Sequence, residues 1–271
     1  MNTELLQKKS VELRADIVEM LYHSKSGHPG GALSCIDMLI ALYNEVANVD
    51  PQNPKDENRD RIIMSKGHAC PALYVALADK GYFPREDLWT LRKFHSPLQG
   101  HPDMRKCKGV DANAGSLGQG VSVAVGMAMA AKFKKKDYKV FAIMGDGESQ
   151  EGLTWEAAEA AVHYGLDNYV LLLDHNGLQI DGKNSDVMDI GDMVKKYEAF
   201  GFQTFKIDGH NFDELIAALK APTEPGKPKF ICCETVKGKG VSFMENQVGW
   251  HGKAPNAEQL KQAFADLGVS R

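Results

Sequence analysis

Residues 139–182 read KVFAIMGDGESQEGLTWEAAEAAVHYGLDNYVLLLDHNGLQIDG. Two unbroken apolar runs, at residues 140–144 and 169–173, lie within this stretch. Continuous rather than alternating apolar runs are typical of strands covered on both faces, as in a parallel sheet with helices above and below. Between them, apolar residues recur at helical spacing from residue 155 to residue 162. The stretch therefore predicts one βαβ unit with a right-handed crossover.

Polar loops follow both strands of this unit. They are GDG, centred on Asp146, and DHNG, which contains Asn176. Both strands end at the same edge of the sheet, where open α/β sheets bind ligands, so we expect Asp146 and Asn176 to lie side by side. A carboxylate, an amide oxygen and a nearby backbone carbonyl suit Mg²⁺ or Ca²⁺, whose open positions a diphosphate could take. Gly145 and Gly147 would let the backbone approach that anion closely.

The specificity of this pattern comes from its spacing. A GDG loop after a strand is, by itself, most often an ordinary turn. Here GDG is followed, thirty residues after Asp146, by Asn176 at the end of a second strand and then by Gly-Leu. At this point the sequence resembles the thiamine-diphosphate enzymes, whose fingerprint is GDG followed at a similar interval by Asn.

The composition excludes several classes of protein. With 43% hydrophobic and 25% charged residues it is that of an ordinary soluble chain, and the net charge of −4 argues against nucleic-acid binding. No apolar run reaches transmembrane length, and the N-terminal stretch is too polar for a signal peptide. The five cysteines show no C-x-x-C spacing, which indicates reduced thiols. We expect a cytoplasmic protein with no membrane and no nucleic-acid partner.

The rest of the chain continues the alternation of strands and helices. Further strands are predicted at residues 61–64, 202–207 and 229–235. Further helices are predicted at residues 5–23, 33–46, 68–77, 85–93, 121–133, 190–200, 212–220 and 257–267. We find no internal repeat and no linker that would separate two cores. The sequence therefore predicts a single α/β domain over residues 1–271, a doubly wound, mostly parallel sheet with helices on both faces.

Three histidines lie in loops that carry glycine or proline and lead into helices. They are His28 in SKSGHPGG, His68 in SKGHA and His101 in GHPD, and the glycine-rich loop AGSLGQG at residues 114–120 opens another helix. Because helix N-termini favour anions, these loops could form edges of one phosphate-bearing pocket. Taken singly, each histidine is more often a structural residue. A zinc site made of the three is a competing interpretation, although none has a partner at i+4 on a helix.

Eight stretches occur in the order SGHPGG, SKGHA, GHPD, AGSLGQG, GDGESQEG, LDHNGLQIDG, DGHN and VKGKG. Together they resemble the N-terminal, diphosphate-binding half of transketolase, with its thiamine-diphosphate-binding fold, and the resemblance covers nearly the whole chain. A full transketolase continues with a pyrimidine-binding domain and a third domain, and neither fits in 271 residues. The chain therefore resembles the N-terminal subunit of a split transketolase.

The resemblance implies a site for thiamine diphosphate and a metal ion. Asp146 and Asn176 would bind the metal through their side chains and Leu178 through its carbonyl. The expected ion is Mg²⁺, with Ca²⁺ or Mn²⁺ as alternatives. Leu117 would also face the aminopyrimidine ring. The residues expected to bind the cofactor are His68, Gly115, Ser116, Leu117, Gly145, Asp146, Gly147, Glu148, Glu151 and Asn176.

The resemblance also implies catalytic roles. His28 and His101 would line the substrate channel, near the donor hydroxyls and the reacting carbonyl. Glu151 and Glu156 correspond to acidic residues that in the family communicate between active sites across the subunit interface. His251, in WHGKAP, is the candidate for a further family histidine. The family typically shows two histidines close together before an HGAP-like stretch, whereas this chain has one, so His251 could take either place.

The implied reaction is transfer of a two-carbon ketol unit. In the family, the thiazolium carbon attacks a ketose phosphate, and the resulting two-carbon carbanion adds to an aldose phosphate. The glutamate that activates the cofactor lies on the pyrimidine domain, so we expect activity only with a C-terminal partner subunit, in a heterotetramer with two copies of each subunit. Pentose phosphates, a sulfonated sugar or a branched sugar phosphate all remain open as substrates.

Two other functions stay open at this point. The chain could be a catalytically idle or regulatory half that binds cofactor, although the intact GDG and histidine positions argue against this. It could also be a nucleotide-binding Rossmann protein. However, GSLGQG does not follow the first strand of a βαβ unit, with an acidic residue about twenty positions on, as that fingerprint requires.

Overall fold

The structure, a computed structural model, describes residues 2–271. Its centre is a five-stranded sheet with the strand order β1-β2-β3-β5-β4. All neighbouring strands are parallel, which confirms the predicted α/β fold. The strands are β1 (Arg61–Met64), β2 (Val140–Gly145), β3 (Tyr169–His175), β4 (Gln203–Asp208) and β5 (Lys229–Glu234).

The unbroken apolar runs of β2 and β3 have a direct structural cause. Both strands are central in the sheet, and all their residues except the last of each are buried. Successive side chains of a strand point to opposite faces, so each strand serves two cores. In β2, Phe141 and Ile143 belong to the core on one face, and Ala142 and Met144 to the core on the other. With no solvent face, these strands contain no polar alternation.

Helices cover both faces of the sheet, as the sequence predicted. One core involves α1 (Thr3–Ser24), α2 (Pro29–Ala41), α3 (Cys70–Lys80), α8 (Phe212–Lys220) and α9 (Ala257–Leu267). The other core involves α4 (Gln119–Phe133), α5 (Gly152–His163) and α7 (Met193–Phe200). A one-turn helix, α6 (Asn184–Val187), lies in the connection after β3. None of the helices within residues 2–271 is long and apolar enough to cross a membrane.

The distribution of helices follows from the direction of the chain. The chain runs from β1 to β2, then to β3, and then to the edge strand β4. The helix before β2 is α4, the helix before β3 is α5, and the helix before β4 is α7. It then turns back and inserts β5 between β3 and β4, with α8 on the opposite face. Because crossovers between parallel strands are right-handed, reversing the direction moves the helix to the other face.

Several helix boundaries differ from the prediction. The helix predicted at residues 33–46 begins earlier, at Pro29, and continues after Ala41 as a π-helical turn, Leu42–Val46. Pro fits the first turn of a helix because its missing N–H would have no partner there. The segment predicted at residues 85–93 is a 3-10 helix, Arg85–Thr90. The helix predicted from residue 190 begins at Met193, since the Asp192 side chain caps it by accepting from the Lys195 N–H.

The glycine-rich loop at residues 114–120 allows α4 to pack against the end of β1. A Cβ atom on Gly120 would lie 2.5 Å from Ser65 Oγ and 2.6 Å from Ser65 Cα. On the facing loop, a Cβ atom on Gly67 would lie 2.4 Å from the carbonyl oxygen of Ala114. These distances are shorter than any normal contact. The two glycines are therefore needed for close approach between segments that meet at the carboxyl edge of the sheet.

We expect Gly120→Ala to lower the free energy of unfolding by about 1–3 kcal/mol, because the added methyl group collides with the backbone of Ser65. Gly126→Ala, in the same helix, is the matched control, since a Cβ atom there meets nothing within 4 Å. The control should be neutral or stabilising by up to about 1 kcal/mol, because alanine favours the helix. Urea unfolding of the isolated chain measures both. Equal effects of the two substitutions would show that the contact with Ser65 imposes no constraint.

Candidate cofactor and metal site

A cavity of about 400 Å³ lies at the carboxyl edge of the sheet. The ends of β1, β2 and β3 contribute to it, together with the start of α2 and the loop after β5. His101, Ser116, Glu151 and Glu156 do not line it, and all four are exposed. The residues singled out from the sequence that do line it are His28, His68, Gly115, Leu117, Gly145, Asp146, Gly147, Glu148, Asn176, Leu178 and His251.

Asp146 and Asn176 reach the cavity from neighbouring strands. The ends of β2 and β3 are in register, with Gly145 opposite Asp174, so the loops that follow start side by side. The Asp146 carboxylate accepts the Gly177 N–H at 2.7 Å and lies 2.7 Å from His175 Nδ1. These two contacts tie the GDG loop to the loop after β3. They hold the carboxylate in one orientation at the cavity wall.

Asp174 fixes the orientation of the Asn176 amide. It is completely buried and forms an ion pair with Lys66, and it accepts the hydroxyls of Ser34 and Thr235. The Asn176 amide nitrogen also donates to it, at 3.1 Å. Because a carboxylate only accepts, Asn176 must turn its NH₂ group towards Asp174 and its oxygen away from it. Burial opposes ionisation of Asp174, but Lys66 and the hydroxyls hold its pKa below the usual range.

Sequence reasoning assigned no role to Asp174 or Lys66. A faint signal was present, because an acidic residue closes the apolar run LLLD and a lysine stands two positions before His68. Either residue could have been an ordinary surface charge at the end of a strand. Only the fold shows that both are buried and paired.

The Glu148 carboxylate is committed to partners within the protein. It is buried and accepts the Ser65 hydroxyl, the Gly118 N–H at 2.9 Å and the Gly145 N–H at 3.2 Å. Burial raises its pKa above the usual range, against the effect of these donors. The side chain thus joins the GDG loop to β1 and to the loop before α4. Because its carboxylate is already bonded within the protein, Glu148 could contact a bound anion only through its main chain.

Three imidazole rings meet in the cavity, and they are not the three singled out for a zinc site. The ring centroids of His28, His68 and His251 lie 5.1–5.4 Å apart. His101 lies outside this cluster, near the exposed Arg92, which contacts the Gly100 carbonyl. Within residues 2–271 no group of three or more His, Cys, Asp or Glu side chains is placed to hold a metal ion.

The three clustered histidines are kept neutral by their surroundings. Burial, followed by nearby positive groups, lowers the pKa of His28 to about 4 and that of His251 to about 4. Burial also lowers the pKa of His68 well below its ordinary value, and the Lys66 charge adds to this effect. The Nδ1 atom of His28 is buried and has no hydrogen-bond partner in the described part of the chain. A buried polar atom without a partner is unusual in a folded protein.

Two lysines line the cavity, and the charge of one of them, Lys66, is balanced by Asp174. Lys66 and Lys237 both line it, and Lys237 Nζ lies 3.2 Å from His251 Nδ1. Burial, with a smaller effect of Lys66, lowers the pKa of Lys237 to about 8. An anion close to this ammonium group would favour its charged form. With hard oxygen donors on one wall and the Lys237 ammonium group on another, the residues present fit a metal ion bound to a diphosphate.

Comparison with known proteins identifies relatives over nearly the whole chain. A protein-family model described as "Transketolase, thiamine diphosphate binding domain" matches residues 6–271. The chain is 44% identical over 268 residues to one of the subunits of the apulose-4-phosphate transketolase of Phocaeicola vulgatus, covering 98% of this chain and 95% of that protein. It is 43% identical over 263 residues to the 6-deoxy-6-sulfo-D-fructose transketolase subunit SqwG of a Clostridium species, covering 97% of this chain and 96% of that protein.

Longer relatives match only in part of their length. The transketolase of Homo sapiens is 38% identical over 267 residues, which is 97% of this chain and 42% of that protein. Among solved structures, the transketolase of Campylobacter jejuni superposes with a TM-score of 0.92 at 35% identity, covering 100% of this chain and 44% of that one.

The neutral histidines predict a loss of stability in acid. His251 has a pKa of about 4 in the folded protein and about 6.5 when unfolded. Between these values the unfolded chain binds more protons, so the free energy of unfolding falls as the pH falls. We expect His251→Gln to lose less stability than the wild type between pH 7 and pH 5, as measured by urea unfolding. His163→Gln, at an exposed position, should behave like the wild type. Parallel behaviour of all three proteins would contradict a half-buried, neutral His251.

Proposed function

The chain belongs to the transketolase family, and from this premise we propose that it is the N-terminal subunit of a two-chain transketolase. It transfers a two-carbon ketol unit from a ketose phosphate to an aldose phosphate, using thiamine diphosphate and a divalent metal ion. The observation that carries the proposal is the cavity at which Asp146 and Asn176 meet beside two lysines. The relatives named as subunits support it, since they are matched over 95% and 96% of their lengths.

The metal is held by hard oxygen ligands that the fold orients in advance. Asp146 supplies a carboxylate whose direction is set by His175 and Gly177. Asn176 supplies an amide oxygen that Asp174 keeps turned away from itself. With the Leu178 carbonyl as a third ligand, this set suits Mg²⁺, and also Ca²⁺ or Mn²⁺.

The residues around Asp146 and Lys237 would hold the diphosphate of the cofactor. Lys237 contributes a charged group, His68 contributes a neutral ring, and the glycines of the GDG and AGSLGQG loops bring backbone N–H groups close. Residues 115–117 and the main chain of Glu148 complete this contact. When bound, thiamine diphosphate would supply a nucleophilic carbon for the ketose carbonyl and a thiazolium ring that accepts the electron pair of the broken carbon–carbon bond.

The histidines act on the sugar. Because His28 and His251 are neutral at physiological pH, each can donate and accept hydrogen bonds, and each could take up a proton from the reacting oxygen and later return it. His101 and Arg92 lie near His28 at more exposed positions, where they would face the donor hydroxyls. The role of His101 and Arg92 is to bind and orient the sugar.

A second chain completes the active site. We propose that a C-terminal partner subunit supplies the pyrimidine-binding domain and most contacts to the far end of the sugar, in a heterotetramer with two copies of each subunit. Glu151 and Glu156, exposed near the start of α5, would lie at the interface between subunits. The names of the relatives point to a ketose carrying a phosphate or a sulfonate, such as apulose 4-phosphate or 6-deoxy-6-sulfofructose.

We expect Asp146→Ala to weaken Mg²⁺-dependent binding of thiamine diphosphate to the assembled protein by at least about tenfold, because it removes a charged metal ligand. Isothermal titration calorimetry with and without Mg²⁺ measures this. Asp186→Asn is the control, since Asp186 is exposed and does not line the cavity. If Asp146→Ala binds the cofactor with unchanged affinity, Asp146 is not a metal ligand.

We expect the purified chain to show negligible ketol transfer until its partner is added. An affinity pull-down from the native cells, with thiamine diphosphate and Mg²⁺ present, should recover a stoichiometric second chain bearing a pyrimidine-binding domain. The reconstituted pair should then turn over at least one donor from a panel of pentose phosphates, apulose 4-phosphate and 6-deoxy-6-sulfofructose. Robust turnover by this chain alone would overturn the two-chain proposal.

A further inference from the structure

A chain of buried polar groups connects α1 and α2 to the loop after β5, away from the cavity wall. Asp37, in α2, accepts the Ser10 hydroxyl at 2.6 Å and Arg14 Nη2 at 2.6 Å. His210, two residues after the end of β4, places Nδ1 2.8 Å from Asp37 Oδ2. Its other ring nitrogen, Nε2, accepts the Val236 N–H at 2.9 Å. The imidazole thus bridges α2 and the start of the loop after β5.

The contacts of the two ring nitrogens of His210, which for Nδ1 include Arg14 Nη2 at 3.5 Å, define its tautomer. A backbone N–H can only donate, so Nε2 must be the unprotonated, accepting nitrogen. The proton then lies on Nδ1 and is donated to Asp37. Although burial opposes ionisation, the Arg14 and His210 contacts hold the pKa of Asp37 at about 2, so Asp37 is an acceptor. A neutral His210 therefore satisfies both partners at once.

The Val236 N–H, which donates to His210, belongs to the residue directly before one that lines the cavity. Val236 precedes Lys237, whose ammonium group lines the cavity next to His251. The same loop is attached to the start of α2 by the Gly238 N–H, which donates to the Gly30 carbonyl at 3.0 Å. Two bonds therefore fix Lys237 from both sides, and one of them depends on His210.

We propose that His210 is a positioning residue, which fixes the segment carrying Lys237 and thereby sets the affinity of the cavity for a diphosphate. It does so from the DGHN motif, one of the eight stretches that carry the resemblance to transketolase. The inference rests on the proposed function for the identity of the ligand. The placement of Lys237 is independent of that identity and can be measured in the chain alone.

Two substitutions of His210 each remove one of its hydrogen bonds, to Asp37 or to Val236, and keep the other. In His210→Asn the amide nitrogen takes the place of Nδ1, so the bond to Asp37 is kept and the bond to Val236 is lost. In His210→Gln the amide oxygen reaches the place of Nε2, so the bond to Val236 is kept and the bond to Asp37 is lost. A positioning role predicts that the Asn variant changes the cavity, whereas a role limited to supporting Asp37 predicts that the Gln variant is the more damaging.

Hydrogen–deuterium exchange of the isolated chain tests the placement of the loop. We expect His210→Asn to raise exchange in residues 236–252 and nowhere else, with His210→Gln close to the wild type there. Calorimetric titration of the assembled protein with thiamine diphosphate and Mg²⁺ should give a Kd raised about tenfold for His210→Asn, with the Gln variant near the wild type. Equal effects of the two variants, or no effect of His210→Asn on exchange, would overturn the proposal.

A third measurement needs no substitution. Nitrogen-detected NMR of the wild-type imidazole should show a neutral His210 with its proton on Nδ1. Finding the proton on Nε2 would exclude the Val236 bond and overturn the proposal, even if both variants failed to fold. If the wild-type assembly does not bind thiamine diphosphate, the proposed function fails, while the exchange and NMR results still decide whether His210 fixes the loop.

Discussion

The buried ion pair between Lys66 and Asp174 is the interaction on which the cavity depends. It joins the residues that follow β1 to the end of β3, and Asp174 also accepts hydroxyls from α2 and from the segment after β5. Lys66 in turn donates to the Gly31 carbonyl at 2.8 Å. Removing one member of a buried pair typically costs about 3–5 kcal/mol, because the other charge is left without a partner. One pair thus determines how four separate segments meet.

Other polar groups around the site also bind partners within the protein. These bonds fix the orientation of the groups that face the cavity. Glu148 commits its carboxylate to β1 and to two loops, and Asp174 turns the Asn176 amide. His210 holds the backbone before Lys237. Such groups touch no ligand, yet they set the positions of those that would. Preorganisation of this kind lowers the cost of binding, because the site does not have to rearrange when the cofactor arrives.

The neutral and the charged side chains of the cavity suit two different tasks. Burial keeps the clustered histidines neutral, while Lys237 remains available for an anion, since Lys66 is paired with Asp174. A charged imidazole beside Lys237 would repel it, and the low pKa of His251 is partly the result of that repulsion. Neutral rings can exchange protons with a sugar, and ammonium groups can bind a diphosphate. One small cavity can therefore serve both the cofactor and the substrate proposed for it.

The sequence by itself determined the βαβ unit, the parallel sheet with helices on both faces, and the edge where GDG and Asn would meet, because these depend on local periodicity and on the handedness of crossovers. The tertiary structure decided which side chains share the cavity. It placed His251 rather than His101 beside His28 and His68, and it paired Lys66 with Asp174, 108 positions away. Such pairings are invisible in a sequence pattern, because they arise from packing between segments that the pattern treats separately.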